Sequence, residues 1–113
     1  MVVILTGVAG AGTMTLARAL ATDVGWRLVE SDDPRVLHAI AAAALERREH
    51  VILTSSVLTD RDQQIVRGDL RTVRFVHLTN QLAEAHPSAD ALAIDATSPP
   101  GAIVNTIRRE CGL

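Results

Sequence analysis

The chain has 113 residues, enough for one domain with a single core and too few for two. Aromatic residues make up 2% of it and the formal net charge is −2, which argues against a base-stacking or basic surface for nucleic acid. The single Cys111 excludes an internal disulfide framework, and no apolar run approaches the roughly 20 residues of a membrane span. We expect a cytoplasmic protein that binds neither nucleic acid nor a membrane.

The first predicted strand, Val2–Leu5, has no polar alternation, which is typical of a strand buried on both faces of a parallel sheet. Gly7, Gly10 and Gly12 follow, and then leucine and alanine recur at a spacing that predicts a helix over Thr13–Val24. A strand, a glycine loop and a helix form a phosphate-binding arrangement, because the N–H groups of the loop and the helix N-terminus can face an anion.

The nucleotide-binding pattern G-x-x-x-x-G-K-[ST] is only partly present in this loop. Gly7 and Gly12 keep the glycine spacing, but Thr13 stands at the lysine position and Met14 at that of the magnesium-binding hydroxyl, and Thr15 keeps a hydroxyl one position later. The chain contains no lysine, and a thioether is a poor ligand for a hard cation. Three interpretations stay open: a structural turn, weak binding of a nucleotide or other anion through backbone N–H groups, and efficient phosphoryl transfer.

The middle of the chain continues the alternation of strands and helices. Arg27–Val29 is predicted to be a short strand that leads into an acidic cluster, and Asp33 is predicted to cap a helix that begins at Pro34 and ends near Glu49. Val51–Leu53 is a third buried strand. The remaining predicted elements are a helix over Asp60–Gly68 with Ile65 and Val66 inward, strands over Val73–Leu78 and Ala91–Ile94, and a last helix opened by Pro99 and Pro100.

This alternation indicates a three-layer α/β domain with a five-stranded parallel sheet flanked by helices. Ligands of such sheets bind beyond the carboxyl ends of the strands. Besides the glycine loop, the side chains expected at that edge are Asp32, Asp33, Ser55, Ser56 and Asp95. The four histidines, His38, His50, His77 and His86, have no metal-ligand spacing, so no metal site is predicted.

The segments GVAGAGTMTLARALA and GWRLVESDD resemble the start of gluconate kinases and of the neighbouring shikimate kinases. The similarity continues through VILTSSVLTDRD, VRFVHL and DALAIDATSPPGAIVNTI, and so covers nearly the whole chain in order. The resemblance implies a P-loop kinase fold, transfer of phosphate from ATP to a small sugar acid, and a base-like, substrate-binding role for Asp32. It implies further substrate contacts at Ser56 and at Arg61, for which a surface ion pair is the alternative. The nucleotide contacts that it implies are Gly7, Ala9, Gly10, Ala11, Gly12, Thr13, Met14 and Thr15.

The departures from this family affect both substrates. Thr13 and Met14 replace the two residues that handle phosphate and magnesium, Asp33 meets Pro34 without a substrate-covering segment, and the short stretch 79–90 replaces an arginine-bearing lid. Two functions therefore stay open: a gluconokinase-like kinase with impaired transfer, weak ATP or ADP affinity and poor Mg²⁺ binding, or a non-catalytic module for a nucleotide, another anion or a protein. Because the shortened segments should leave apolar surface at the ligand edge, we expect a homodimer or a protein partner to cover it.

Overall fold

The computed structural model describes residues 1–7, 12–56, 59–79, 91–95 and 97–112, without the side chains of Ser56 and Ala91. The strands are β1 (Val2–Gly7), β2 (Arg27–Glu30), β3 (Val51–Ser56), β4 (Val73–Thr79) and β5 (Ala91–Asp95). The helices are α1 (Thr13–Val24), α2 (Pro34–Glu46), α3 (Asp60–Arg67) and α4 (Pro100–Cys111). None of these helices is both long and apolar enough to cross a bilayer.

All five strands pair in parallel in the order β2-β3-β1-β4-β5. β1 lies at the centre, between β3 and β4, and all of its six residues are buried. The strand order therefore reverses beside β1, which is where ligands bind in open α/β sheets. The predicted three-layer α/β fold is confirmed, and β1 ends at the glycine loop.

Each face of the sheet has its own apolar cluster. On one face Val3, Leu5 and Val76 pack with the buried residues of α1 and α4. On the other face Ile4 and Phe75 pack with the buried residues of α2 and α3. Successive side chains of a strand point to opposite faces, so a central strand covered on both sides is apolar at every position.

Two local predictions differ from the structure. α2 ends at Glu46 rather than near Glu49, because Arg47 closes its last turn and Arg48 adopts a positive φ of 56°. Ile65, predicted to point inward with Val66, is 37% exposed, whereas Val66 is fully buried. Neighbouring residues of a helix project about 100° apart, so the narrow contact face of the short α3 holds only one of them.

The packing of α2 can be tested with two adjacent residues. Leu37 is fully buried and Val36 is 43% exposed. Leu37→Ala should lower the free energy of unfolding by about 2–5 kcal/mol, because it removes buried methyl groups and leaves a cavity. Val36→Ala should change it by less than about 0.5 kcal/mol. Urea unfolding followed by circular dichroism measures both, and equal losses would contradict the orientation of α2.

Candidate functional site

The glycine loop joins the end of β1 to the start of α1. Gly12 precedes α1 in the left-handed conformation, with φ 74° and ψ 27°, which a residue with a Cβ rarely adopts. Its carbonyl accepts the N–H of Leu16 at 3.0 Å, which is the first bond of the helix. Among the described residues no side chain caps this N-terminus. The predicted strand–loop–helix geometry is thus present at both ends of the loop, whereas Ala9, Gly10 and Ala11 lie outside the described residues.

The first turn of α1 carries the residues at the lysine and hydroxyl positions of the nucleotide-binding pattern. Thr13 and Met14 are half-buried and Thr15 is exposed. None of these side chains is charged, so this turn can bind an anion through its backbone N–H groups, the helix dipole and the threonine hydroxyls, without a cationic side chain.

Asp32 lies at the carboxyl edge of the sheet, beside the end of β3. The N–H of Ser31 donates to the carbonyl of Thr54 at 3.1 Å, so the pairing of β2 with β3 continues beyond the end of β2. The hydroxyl of Ser55 donates to Asp32 Oδ1 at 3.3 Å. Among the described side chains Ser55 is thus a serine in contact with Asp32, and the side chain of Ser56 lies outside the described part of the chain.

The neighbouring Asp33 has a different task. Its Oδ1 accepts the N–H of Arg35 at 3.0 Å, and Pro34 occupies the first position of α2. The N–H of Asp33 in turn donates to the hydroxyl of Ser31 at 3.2 Å. The predicted helix cap is confirmed. Asp33 caps α2, whereas Asp32 contacts the hydroxyl of Ser55.

A second polar contact lies on the other side of β1. Thr6 Oγ1 and His77 Nδ1 are 3.1 Å apart, and Thr6 is only 5% exposed. Thr6 is the register partner of both Ser55 in β3 and His77 in β4. These three residues, which we call the polar row, therefore lie side by side on the face that α2 and α3 cover. Burial lowers the pKa of the His77 imidazole.

The sequence interpretation did not identify Thr6 and His77 as site residues, although the three strands carry a signal for them. Each of β1, β3 and β4 places three alternate residues on this face, of which the first two are apolar and the third is polar. The three series are Val2, Ile4 and Thr6; Val51, Leu53 and Ser55; and Val73, Phe75 and His77. The apolar core of this face thus ends at the polar row.

The ends of α3 and β5 complete the carboxyl edge. Thr59 and Asp62 form a reciprocal capping box at the start of α3, where Arg61 is exposed. Asp95 Oδ1 accepts from the hydroxyl of Thr97 at 2.6 Å and from its N–H at 2.9 Å. Both bonds lower the pKa of Asp95, and the bond from the hydroxyl of Thr97 has the larger effect. The carboxylate of Asp95 thus has a structural role beside the end of β5.

Acidic side chains outnumber arginines at this edge. Among the described residues at the carboxyl ends of the strands and at the starts of the helices that follow them, the acidic ones are Glu30, Asp32, Asp33, Asp60, Asp62 and Asp95, and the basic ones are Arg35 and Arg61. This imbalance makes the local potential unfavourable for a polyanion. No three His, Cys, Asp or Glu side chains come together as a metal site in the part of the chain that the structure describes.

The fold is that of the P-loop kinases. A sugar kinase from Janibacter sp., unliganded, matches with a TM-score of 0.78 and 18% identity over 96% of this chain and 92% of that chain. A gluconokinase from Sinorhizobium meliloti matches with a TM-score of 0.67 and 19% identity, over 97% of this chain and 90% of that chain. A de novo designed P-loop fold protein matches with a TM-score of 0.68 and 11% identity, over 99% of this chain and 91% of that chain. No protein-family model and no curated protein matches the sequence.

The capping role of Asp33 can be tested by measuring the stability of two variants. Asp33→Ala should lower the free energy of unfolding by about 1 kcal/mol, because it removes the acceptor for the first turn of α2. Asp33→Asn should keep most of the stability, since asparagine caps about as well as aspartate. Chemical denaturation measures both variants, and a loss in Asp33→Asn as large as that in Asp33→Ala would contradict the capping role.

Proposed function

We propose that this chain is a small-molecule-binding domain of the P-loop kinase type in which phosphoryl transfer from ATP is impaired. The observation that carries the proposal is the first turn of α1, where Thr13 and Met14 occupy the positions of a lysine and a metal-binding hydroxyl. The lysine and the metal stabilise the charge that develops on the transferred phosphate, so their loss acts mainly on transfer. The strand order and the glycine at the helix start are retained.

Nucleotide binding in this proposal is weak. ATP or ADP is held by backbone N–H groups and the dipole of α1, along the loop from Gly7 to Thr15. Losing one charge-assisted hydrogen bond removes about 1.5–3 kcal/mol, or roughly ten- to hundredfold in affinity. The acidic edge weakens binding of a polyanion further. Mg²⁺ does not fit the thioether of Met14.

The acceptor in this proposal is a sugar acid, in keeping with the sugar kinase and the gluconokinase among the structural neighbours. Asp32 is the proposed base and the proposed substrate contact. Its position supports this role, because it lies at the ligand edge, beside β3 and in contact with the hydroxyl of Ser55. Ser56 and Arg61 are the further proposed substrate contacts.

A second candidate is a non-catalytic module that binds a nucleotide, another anion or a protein. The uncharged first turn of α1 and the excess of carboxylates at the edge favour it. The fold by itself does not decide between the two candidates, since a designed protein shares it.

Calorimetric titration with ADP and ATP, each with and without Mg²⁺, separates these functions. Thr13→Lys/Met14→Ser should bind Mg²⁺-ADP about tenfold or more tightly than the wild type, because it restores a cation and a hydroxyl. Thr13→Gln/Met14→Ser lengthens the side chain without a charge and should stay close to the wild type. Wild-type affinity equal to that of the lysine variant would contradict impairment. Absence of binding in all three proteins would favour a protein-binding module.

The proposed partner at the ligand edge is a second copy of the chain or another protein. Among the described residues, the large apolar side chains that are exposed are Val36 in the first turn of α2 and Ile65 in α3, and these two helices pack together. The proposed contact includes Val36, which lies in the first turn of α2. The single Cys111 supports a reducing, cytoplasmic location for this assembly.

Light scattering after size-exclusion chromatography tests the homodimer. The wild type should have twice the mass of one chain at high concentration, and Val36→Glu should return it to a monomer, because a charge would be buried in the contact. Thr22→Glu introduces a carboxylate at an exposed position of α1, on the other face of the sheet, and controls for the charge alone. A monomeric wild type at every concentration would contradict the homodimer.

A further inference from the structure

The polar row connects the two hydrogen bonds of the candidate site. At one end Ser55 donates to Asp32, and at the other Thr6 contacts His77. Ser55 and Thr6 are register partners on neighbouring strands, whose spacing is about 4.8 Å. At this strand spacing one further hydroxyl group is able to bridge the two side chains, because two O–H···O bonds of about 2.8 Å span it. The two hydrogen bonds and the Ser55–Thr6 spacing together connect the carboxylate of Asp32 to the imidazole of His77, and this spacing is the gap in the connection.

The chemistry of the two ends is complementary. Asp32 is a carboxylate, and His77 is half-buried in a position where its neutral form is favoured. Both accept a proton near neutral pH more readily than a serine or threonine does. Thr6 is buried, and its hydroxyl either donates to Nδ1 or accepts from it, so the contact survives in both charge states of the ring.

We propose that His77 is a second proton-handling residue of the candidate site, coupled to Asp32 through Thr6 and Ser55 when a hydroxyl bridges these two side chains. The bridging hydroxyl is that of the acceptor in the proposed function, on which this proposal rests, or a water in its absence. A proton released by the bridging hydroxyl reaches Asp32 through Ser55 or His77 through Thr6. The intervening hydroxyl, that of Ser55 or of Thr6, receives one proton and donates another, so it ends unchanged. The bridging oxygen is then deprotonated, and the proton is held on Asp32 as a carboxylic acid or on His77 as an imidazolium.

Other charged side chains lie on the elements that pack beside β4, and several of them make contacts of their own. On α3, Asp62 accepts the N–H of Thr59, and the guanidinium of Arg67 lies 5.0 Å from the centroid of the Phe75 ring. On β5, Asp95 binds Thr97. α3 also carries Asp60 and Arg61 in its first turn, and α2 carries His38, whose Nδ1 contacts the carbonyl of Val66 at 2.9 Å. Among the described carboxylates, Asp32 is the one linked by a side-chain hydrogen bond to the polar row.

The coupling is measurable by NMR titration of the His77 imidazole in the intact chain. Asp32→Asn should lower the pKa of His77 by about half a unit, because the carboxylate's negative charge stabilises the imidazolium. Asp33→Asn removes a carboxylate one residue away that caps α2 and makes no hydrogen bond to the polar row, so it should move the pKa of His77 clearly less. The imidazole of His38 serves as an internal reference in every sample. Thr6→Val, which keeps the shape of the side chain, should change the tautomer balance of His77 and reduce the effect of Asp32→Asn.

Gluconate is the probe for the bound state and should increase the effect of Asp32→Asn on His77. If Asp32→Asn leaves the His77 pKa unchanged, or if Asp33→Asn moves it equally, the coupling is overturned, whether or not gluconate binds. Failure of gluconate to bind counts against the sugar-acid acceptor of the proposed function, whereas the titration without ligand still decides the coupling. Amide spectra confirm that each variant is folded before its titration is interpreted.

Discussion

The parallel pairing of β1 with β3 on one side and β4 on the other is the constraint on which the rest of the molecule depends. It buries β1 on both faces and puts the carboxyl ends of all three strands at the same level. It also makes Thr6 the partner of both Ser55 and His77. The glycine loop, Asp32 and the polar row belong to one edge only because this register holds.

At that edge the backbone and the side chains favour different functions. The αL glycine at position 12 and the start of α1, which no described side chain caps, suit an anion, whereas the described charged side chains at this edge are mostly acidic. The core of this fold lies between the sheet and the helices, so its stability does not require a working phosphate site. Binding and transfer can therefore weaken while the fold is retained.

Most elements were predictable because the signals that define them are local. Val2–Leu5 is apolar at successive positions, and Gly25 follows the last residue of α1 in the left-handed conformation typical of a helix end. Asp33 and Pro34 mark the start of α2 by a cap and a fixed φ. The error at Ile65 has the opposite cause, since an eight-residue helix presents too few turns to show which face the sheet covers.

The sequence by itself determined the strand–helix alternation, the glycine positions around the loop and the absence of a lysine, because each of these is a property of neighbouring residues. Only the tertiary structure decided which polar residues meet. Thr6 and His77 are 71 positions apart in the chain, and they come into contact because β1 pairs with β4 in one particular register. A shift of the pairing register by one residue would move every side chain of β4 to the opposite face, and the register cannot be deduced from neighbouring residues in the sequence.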